Sequence, residues 1–386
     1  MQILGIGLIS KILRRGRFAI KALLSYRRTA QDALTSHDNS FNLIRLILSF
    51  GVLFWHSWDL LGAVRPVTSP IIQHALFGST VNGFFIVSGF LVANAVRKNA
   101  NLQIYALNRI FSIFPALFVT LVFTGFVLAP ALAVITGVPL TWTKPFAYVL
   151  GNMFLFPMHW GIGGTLANTP IPVAWNGSLW TLPWQMLAYI FLWLFARWGR
   201  FNIKALWSFN LACAVSLAFA PIFVDLSQTW QLRMIQTDLC FGFIFSLGML
   251  AATYATRVVF TWKTMGLALG ILTLSVAFDV FMPIGSAALS FLLLALGTSS
   301  LSPKIIQKYD FSYGIYLYAF PVQQFLIGIG VASGDPRLFV LQSLAFTFPL
   351  AVLSRKFIER PAAKLVKPWV AAYLAKRKAV RQTQVD

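Results

Sequence analysis

A run of apolar and aromatic residues from 41 to 61, FNLIRLILSFGVLFWHSWDLL, constrains this chain more than any other segment. A helix needs about 20 such residues to cross a lipid bilayer, so the run predicts a transmembrane span. Two ionisable residues, Arg45 and His56, interrupt it. Because ionisable groups are costly inside a membrane, both are candidates for a functional role.

Arg45 and His56 are eleven positions apart, which places them about 16 Å apart along a helix axis and on nearly the same face. Two interpretations of Arg45 are open, a functional group or a basic anchor that extends to the membrane surface. His56 is either a structural residue that bonds a backbone carbonyl or a proton carrier. A histidine titrates near neutral pH, which favours proton transfer.

The composition extends this prediction to the whole chain. Of its 386 residues 58% are hydrophobic and only 11% are charged, whereas a soluble domain carries about 25% charged residues. We therefore expect an all-α integral membrane protein with one helical bundle. The net charge of +21 is interpreted as a topology signal, and no nucleic-acid partner is expected. Cys213 and Cys240 lie in apolar runs, so neither a disulfide nor a metal site is expected.

The chain divides into three predicted regions. Residues 1–40 combine basic and apolar residues, as in an amphipathic helix at an anionic membrane surface. Residues 41–361 form the membrane domain, and 362–386 a basic cytoplasmic tail. Ten spans are predicted, at 41–62, 79–96, 107–134, 178–196, 203–223, 234–255, 264–282, 286–301, 310–331 and 338–354. Residues 135–176 are rich in Gly, Pro, Trp and Asn and predict an extracytoplasmic or re-entrant loop.

The distribution of basic residues supports this topology. With the N-terminus in the cytoplasm, 27 of the 31 Lys and Arg residues lie at cytoplasmic ends. The other four are Arg65, Lys144, Arg233 and Arg337. Such a bias is the positive-inside pattern of multi-pass membrane proteins, and it places both termini in the cytoplasm.

Several motifs follow the Arg45–His56 pair in a fixed order. They are GFFIVSGF at 83–90, RIFSIFP at 109–115, NGSLWTLP at 176–183, FSYGIYLYAFP at 311–321 and ERP at 359–361. No single motif is decisive, but their order and spacing over about 41–361 resemble acyltransferase family 3, a family of membrane O-acyltransferases. Three positions depart from the usual pattern: Gln185 replaces a glutamate, Ser112 an arginine and Ala319 a histidine.

The resemblance implies an enzyme of the bacterial inner membrane. Its donor would be cytoplasmic acyl-CoA, with acetyl-CoA as the expected form, and no metal would be needed. Its acceptor would be a hydroxyl of a surface polysaccharide or of a lipid-linked glycan precursor. Because Gln185 cannot carry negative charge, either this branch does not need the carboxylate or the substitution weakens the chain's activity.

Acyl transfer to a hydroxyl needs a base, stabilisation of an oxyanion and a clamp for the donor's phosphates. His56 is the candidate base. Arg45 is the candidate to hold the donor or the oxyanion, and Asp59, three positions after His56, would orient the imidazole or contact the sugar. The remaining donor-binding candidates are Arg97, Lys98 and Arg109 at the cytoplasmic mouth, and Ser88, Trp180, Gln185 and Tyr313 at membrane depth.

Two other classes of protein fit the same residues. A carrier or flippase of a lipid-linked sugar could use the intramembrane Arg and His for proton coupling. A non-catalytic relative could keep the fold and bind glycans. Binding of coenzyme A at the cytoplasmic face separates an acyltransferase from a carrier, and single-turnover acyl transfer separates it from an inactive relative.

The predicted topology can be tested with single cysteines and a membrane-impermeant label. Label added from outside should reach cysteines in the 157–176 loop and should not reach those near Lys204 or Lys308. The reverse pattern would place Arg45 and Arg109 at the outer face and would contradict a cytoplasmic donor.

Overall fold

A computed structural model describes residues 27–35, 38–67, 69–98, 101–199, 202–223, 229–278 and 280–382. The protein is 77% helical and has almost no sheet, which confirms the predicted all-α class. Most of the predicted interfacial helix at 1–40 lies outside the described residues.

Fifteen helices occur in the described residues. In chain order they are α1 (Ala30–Thr35), α2 (Phe41–Leu60), α3 (Pro70–Lys98), α4 (Leu102–Phe123), α5 (Ala129–Thr136), α6 (Thr143–Asn152), α7 (Leu182–Gly199), α8 (Ile203–Phe223), α9 (Trp230–Thr253), α10 (Trp262–Ala277), α11 (Ser286–Gly297), α12 (Lys304–Lys308), α13 (Ser312–Gly328), α14 (Pro336–Ser354) and α15 (Arg360–Gln382). Wider π-helical turns occur at Thr124–Leu128, Phe281–Gly285 and Arg355–Glu359, and a 3-10 turn at Gly177–Thr181.

Six helical segments of the described chain are long and apolar enough to cross a membrane: Phe41–Leu60, Ile71–Arg97, Leu102–Thr136, Gly177–Arg197, Gln231–Thr253 and Pro336–Tyr373. Three shorter apolar helices accompany them, at Ile203–Phe219, Trp262–Ala277 and Phe281–Gly297. The chain is therefore a multi-pass membrane protein. Each of the ten predicted spans overlaps a helix, but a count of ten crossings is not confirmed.

The described part of the N-terminal segment contains a short strand, β1, followed by the short helix α1. β1 (Arg27–Thr29) pairs antiparallel with β2 (Val259–Thr261). The Arg28 guanidinium donates to the carbonyl of Thr298 at 2.9 Å. The β-branched and aromatic residues of β2 favour an extended conformation, so this part of the N-terminal segment is attached to the loops that flank α9 and α11.

Residues 135–176 contain the short helix α6 and a compact loop. The Asn152 side chain organises the turn after α6, since its amide donates to the carbonyl of His159 at 2.7 Å and its oxygen accepts from the Met158 N–H at 2.9 Å. The loop then returns into the bundle, where Trp175 and Asn176 are buried. There the Asn176 amide donates to the carbonyl of Leu317 in the middle of α13 at 3.0 Å. This geometry agrees with the predicted loop.

A close helix contact lies between α3 and α9, at Gly89 and Gly248. A Cβ atom added to Gly248 would lie 2.7 Å from the Phe90 nitrogen and 3.0 Å from the carbonyl carbon of Gly89. Real Cβ atoms do not approach backbone this closely, so the two helices need glycine here. Small residues allow such close approach between membrane helices.

Gly248→Ala should destabilise the bundle by about 1–3 kcal/mol, the usual range for overpacking. Gly266→Ala is the matched control, because no atom lies within 4 Å of a Cβ at that position of α10. Thermal unfolding of the purified proteins should show a lower Tm for Gly248→Ala and an equal or higher Tm for Gly266→Ala. Equal Tm values for Gly248→Ala and the wild type would contradict the close contact.

Candidate active site

A cavity of about 320 Å³ lies among α2, α3, α4, α7, α13 and the turn that follows α14. It is lined by Arg45, Val81, Phe84, Phe85, Ser88, Arg109, Ser112, Ile113, Thr181, Leu182, Gln185, Tyr189, Asp310, Tyr313, Tyr316, Arg355 and Glu359. Arg45, Asp310 and Arg355 lie at helix ends that the basic-residue pattern assigns to the cytoplasm. The cavity therefore extends from that predicted face into the bundle.

The first ion pair of the cavity joins the start of α2 to the start of α13. Arg45 Nη1 donates to Asp310 Oδ2. Asp310 Oδ1 accepts from the backbone N–H of Ser312 at 3.0 Å and from the Ser312 hydroxyl at 2.5 Å. Two groups of α13 thus fix the carboxylate, and the carboxylate in turn fixes Arg45. The side chain of Arg45 remains 30% exposed, so part of its guanidinium faces the cavity.

The second ion pair lies on the π-helical turn after α14. Arg355 Nη1 lies 3.3 Å from Glu359 Oε2. The Ser354 hydroxyl donates to Glu359 Oε1 at 3.1 Å. The four-residue spacing brings Arg355 and Glu359 to the same side of the chain, and Glu359 is buried.

Arg109 differs from the other two arginines of the cavity. No carboxylate of the described residues pairs with it, and its guanidinium carbon lies 5.2 Å from the centre of the Tyr189 ring. Its Nε is buried without a hydrogen-bond partner in the described part of the chain, and so is Nε2 of Gln185, four residues before Tyr189. Buried polar atoms are nearly always hydrogen-bonded, so these two donors indicate a place for a ligand that accepts hydrogen bonds.

The charges that line the cavity favour an anionic ligand. The lining residues include three arginines, Arg45, Arg109 and Arg355, and two carboxylates, Asp310 and Glu359, which leaves one positive charge in excess. Guanidinium groups present five N–H donors in a planar fork that matches phosphate. The cavity can therefore bind a phosphate-bearing molecule.

Tyr316 lines the cavity on α13, and its hydroxyl is held by contacts with the turn before α7. Its hydroxyl donates to the carbonyl of Ser178 at 2.8 Å and lies 2.5 Å from the Thr181 hydroxyl. Phe320 follows one helical turn later on α13, and its ring packs edge-to-face against the His56 imidazole with centres 4.9 Å apart. Gly177 leaves room for this ring, since a Cβ there would lie 2.5 Å from Phe320 Cε2.

His56 is not among the residues that line the cavity, although it lies on the same helix as Arg45. Its Nδ1 is buried and has no hydrogen-bond partner in the described chain. The imidazole is therefore not held by a backbone carbonyl through this nitrogen, as a purely structural histidine would often be.

Five of the predicted site residues line the cavity together: Arg45, Ser88, Arg109, Gln185 and Tyr313. The Tyr313 hydroxyl donates to the carbonyl of Ile113 at 3.0 Å, so this group also holds α13 against α4. These residues come from five separate helices, α2, α3, α4, α7 and α13, and line one cavity.

The other predicted residues lie elsewhere. Asp59 accepts from Arg65 through both carboxylate oxygens, at 2.8 and 2.9 Å. No hydrogen bond joins Asp59 to His56 in the described residues. Arg97 donates to the carbonyl of Ala252 at 2.6 Å and is not among the lining residues.

Trp180 and Lys98 are the two remaining candidates. Trp180 is 38% exposed, its ring centre lies 5.9 Å from that of Phe241, and it is not among the residues that line the cavity. Of Lys98 the structure describes only the backbone, which ends α3.

The sequence motifs did not single out Asp310, Tyr189, Tyr316, Arg355 or Glu359 as site residues. Asp310 and Glu359 could have been suspected, because Asp310 precedes a family motif and Glu359 begins another in a chain with only 10 acidic residues. The four-residue spacing of Arg355 and Glu359 is a local pattern, whereas the pairing of Asp310 with Arg45 depends on a contact between helices that no local pattern specifies.

A multi-pass helical bundle with a cationic cavity that leads toward a buried histidine defines a membrane protein able to bind an anionic substrate. A family model described as an acyltransferase domain matches residues 38–356. The chain therefore belongs to acyltransferase family 3, as the order of its motifs indicated.

Two curated proteins resemble the chain over nearly their full lengths. The first is "Nodulation protein 10" of Rhizobium leguminosarum bv. viciae, 29% identical over 378 residues, which cover 88% of this chain and 97% of that protein. The second is the "O-acetyl transferase" of Shigella phage Sf6, 26% identical over 355 residues, with 85% and 98% covered. No solved structure matches the chain significantly.

Proposed function

We propose that the protein is an O-acyltransferase that moves an acyl group, of the acetyl type, from acyl-CoA to a hydroxyl of a carbohydrate. The observation that carries this proposal is the cavity, with one positive charge in excess and two buried donors, Arg109 Nε and Gln185 Nε2, that lack partners. The family supports acyl transfer, and the "O-acetyl transferase" relative supports a hydroxyl acceptor and an acetyl donor.

The distance between Arg45 and His56 assigns them different parts of the reaction. Eleven residues of helix separate the two by about 16 Å along the axis, while reacting groups must come within about 3–3.5 Å of each other. If His56 acts at the reacting carbonyl, Arg45 is too far away to stabilise the oxyanion. Arg45 then holds the anionic end of the donor. Acyl-CoA fits this spacing because a long pantetheine arm separates its phosphates from its thioester.

His56 acts as the general base in this proposal. The imidazole takes the proton from the acceptor hydroxyl while the hydroxyl oxygen attacks the thioester carbonyl. The tetrahedral intermediate collapses, the carbon–sulfur bond breaks, and the imidazolium returns the proton to the leaving thiolate. The products are an ester and coenzyme A, so atoms and charge balance.

The positions of the two substrates follow from the predicted topology. The donor enters from the cytoplasm, where the helix ends around Arg45, Asp310 and Arg355 meet. The acceptor approaches His56 from the opposite side, as a surface polysaccharide or a lipid-linked glycan precursor would at the outer leaflet of the bacterial inner membrane. The bilayer itself is the remaining partner.

The role of Arg109 gives the first test of the donor site. Arg109→Ala should raise the KM for acyl-CoA about tenfold, since a hydrogen bond to a charged group contributes about 1.5–3 kcal/mol. High salt should reduce the difference between variant and wild type, because screening weakens the same contact. Arg337→Ala, at an exposed position of α14, is the control and should leave KM unchanged. A lower kcat at unchanged KM would assign Arg109 to the transition state or to folding.

The role of His56 gives the second test. His56→Gln keeps a hydrogen-bonding side chain but cannot accept a proton, so turnover should fall about 10²- to 10⁴-fold, as for loss of a general base. Binding of coenzyme A, measured by calorimetry on the detergent-purified protein, should persist. His159→Gln, in the exposed part of the loop, should behave as wild type. Normal turnover of His56→Gln would make His56 structural and would leave Asp59 as the next candidate base.

A further inference from the structure

The cavity contains two carboxylates that oppose the binding of an anion. Asp310 is braced by the backbone and hydroxyl of Ser312, and Glu359 by the hydroxyl of Ser354. These hydrogen bonds come from serine residues and not from the arginines. The carboxylates therefore keep their positions when a ligand binds an arginine in their place. Each is thus a fixed negative charge beside a phosphate-binding group.

The three arginines therefore differ in how easily each can bind an anion. Arg109 has no carboxylate partner in the described residues, whereas Arg45 and Arg355 each have one. Both paired arginines are partly exposed, with side chains 30% and 28% accessible. Each guanidinium is therefore accessible from the cavity, so a ligand with sufficient negative charge can contact it and compete with the carboxylate.

We propose that Asp310 and Glu359 are specificity-determining residues, which occupy Arg45 and Arg355 as built-in counter-ions and thereby select ligands with more than one anionic group. A ligand with one phosphate engages Arg109 and is repelled by the two carboxylates. A ligand with linked phosphates reaches a paired arginine as well, and the second contact offsets the repulsion. This inference rests on the proposed function, in which the ligand is the polyphosphate end of the acyl donor.

The test uses two inorganic probes, phosphate and pyrophosphate, whose binding to the full-length protein in nanodiscs is measured by calorimetry. The wild type should bind pyrophosphate at least tenfold more tightly than phosphate. Asp310→Asn and Glu359→Gln each remove one negative charge and keep a hydrogen-bond acceptor for the serine. Each should strengthen phosphate binding about tenfold, as expected when a nearby like charge is removed, and should strengthen pyrophosphate binding less.

Asp335→Asn is a closely matched control. Asp335 also accepts from the backbone N–H two residues later, at 2.8 Å, but it lies at the exposed start of α14, away from the cavity lining. This variant loses the same charge and the same type of helix-start contact as Asp310→Asn, and it should bind both probes as the wild type does. If Asp335→Asn gained as much phosphate affinity as the cavity variants, the effect would come from the net charge of the protein, and the proposal would be overturned.

A gain of binding is a readout that a merely structural role would not produce. Weaker or unchanged phosphate binding in both cavity variants would show that the carboxylates only position the arginines. A wild type that binds neither probe would also overturn the proposal, because it would lack the expected site for linked phosphates. If one variant does not fold, the other decides. Failure of the proposed function has a different signature, in which the probes follow the expected pattern but coenzyme A does not bind.

Discussion

The ion pair between Arg45 and Asp310 is the interaction on which the arrangement of the cavity depends. A guanidinium inside a membrane bundle is costly unless a counter-ion or solvent compensates its charge. Asp310, two residues before the start of α13, supplies that counter-ion, and Ser312 holds its carboxylate in place. The contact therefore joins the starts of α2 and α13, the two helices that carry His56 and its neighbour Phe320.

The positions of the other site residues follow from this contact between α2 and α13. With α2 and α13 in contact, Tyr316 lines the cavity and Phe320 packs against His56 one helical turn further on. The basic groups gather at one end of the helices and the imidazole lies toward the other. A long substrate with an anionic head and a reactive tail matches this order, and a compact anion does not.

The neutral side chain of Gln185 affects the charge balance of the cavity. Gln185 lines the cavity with an amide nitrogen that has no partner in the described chain. A carboxylate at this position would add a third negative charge to the cavity and cancel its excess positive charge. As an amide, Gln185 leaves that charge available and offers one more hydrogen-bond donor. The first of the two possibilities for this position, a branch that does not need the carboxylate, is thus physically reasonable.

The sequence by itself determined the helical class, the position of the helices and the membrane character, because each follows from local apolar runs and from spacing along one helix. It also gave the axial order of Arg45 and His56, since both belong to α2. Only the tertiary structure decided which charges meet. Asp310 lies 265 residues after Arg45, and Asp59 turned to Arg65 rather than to His56. The first pairing depends on how separate helices pack and the second on the path of the chain after α2, and no periodicity within one helix encodes either.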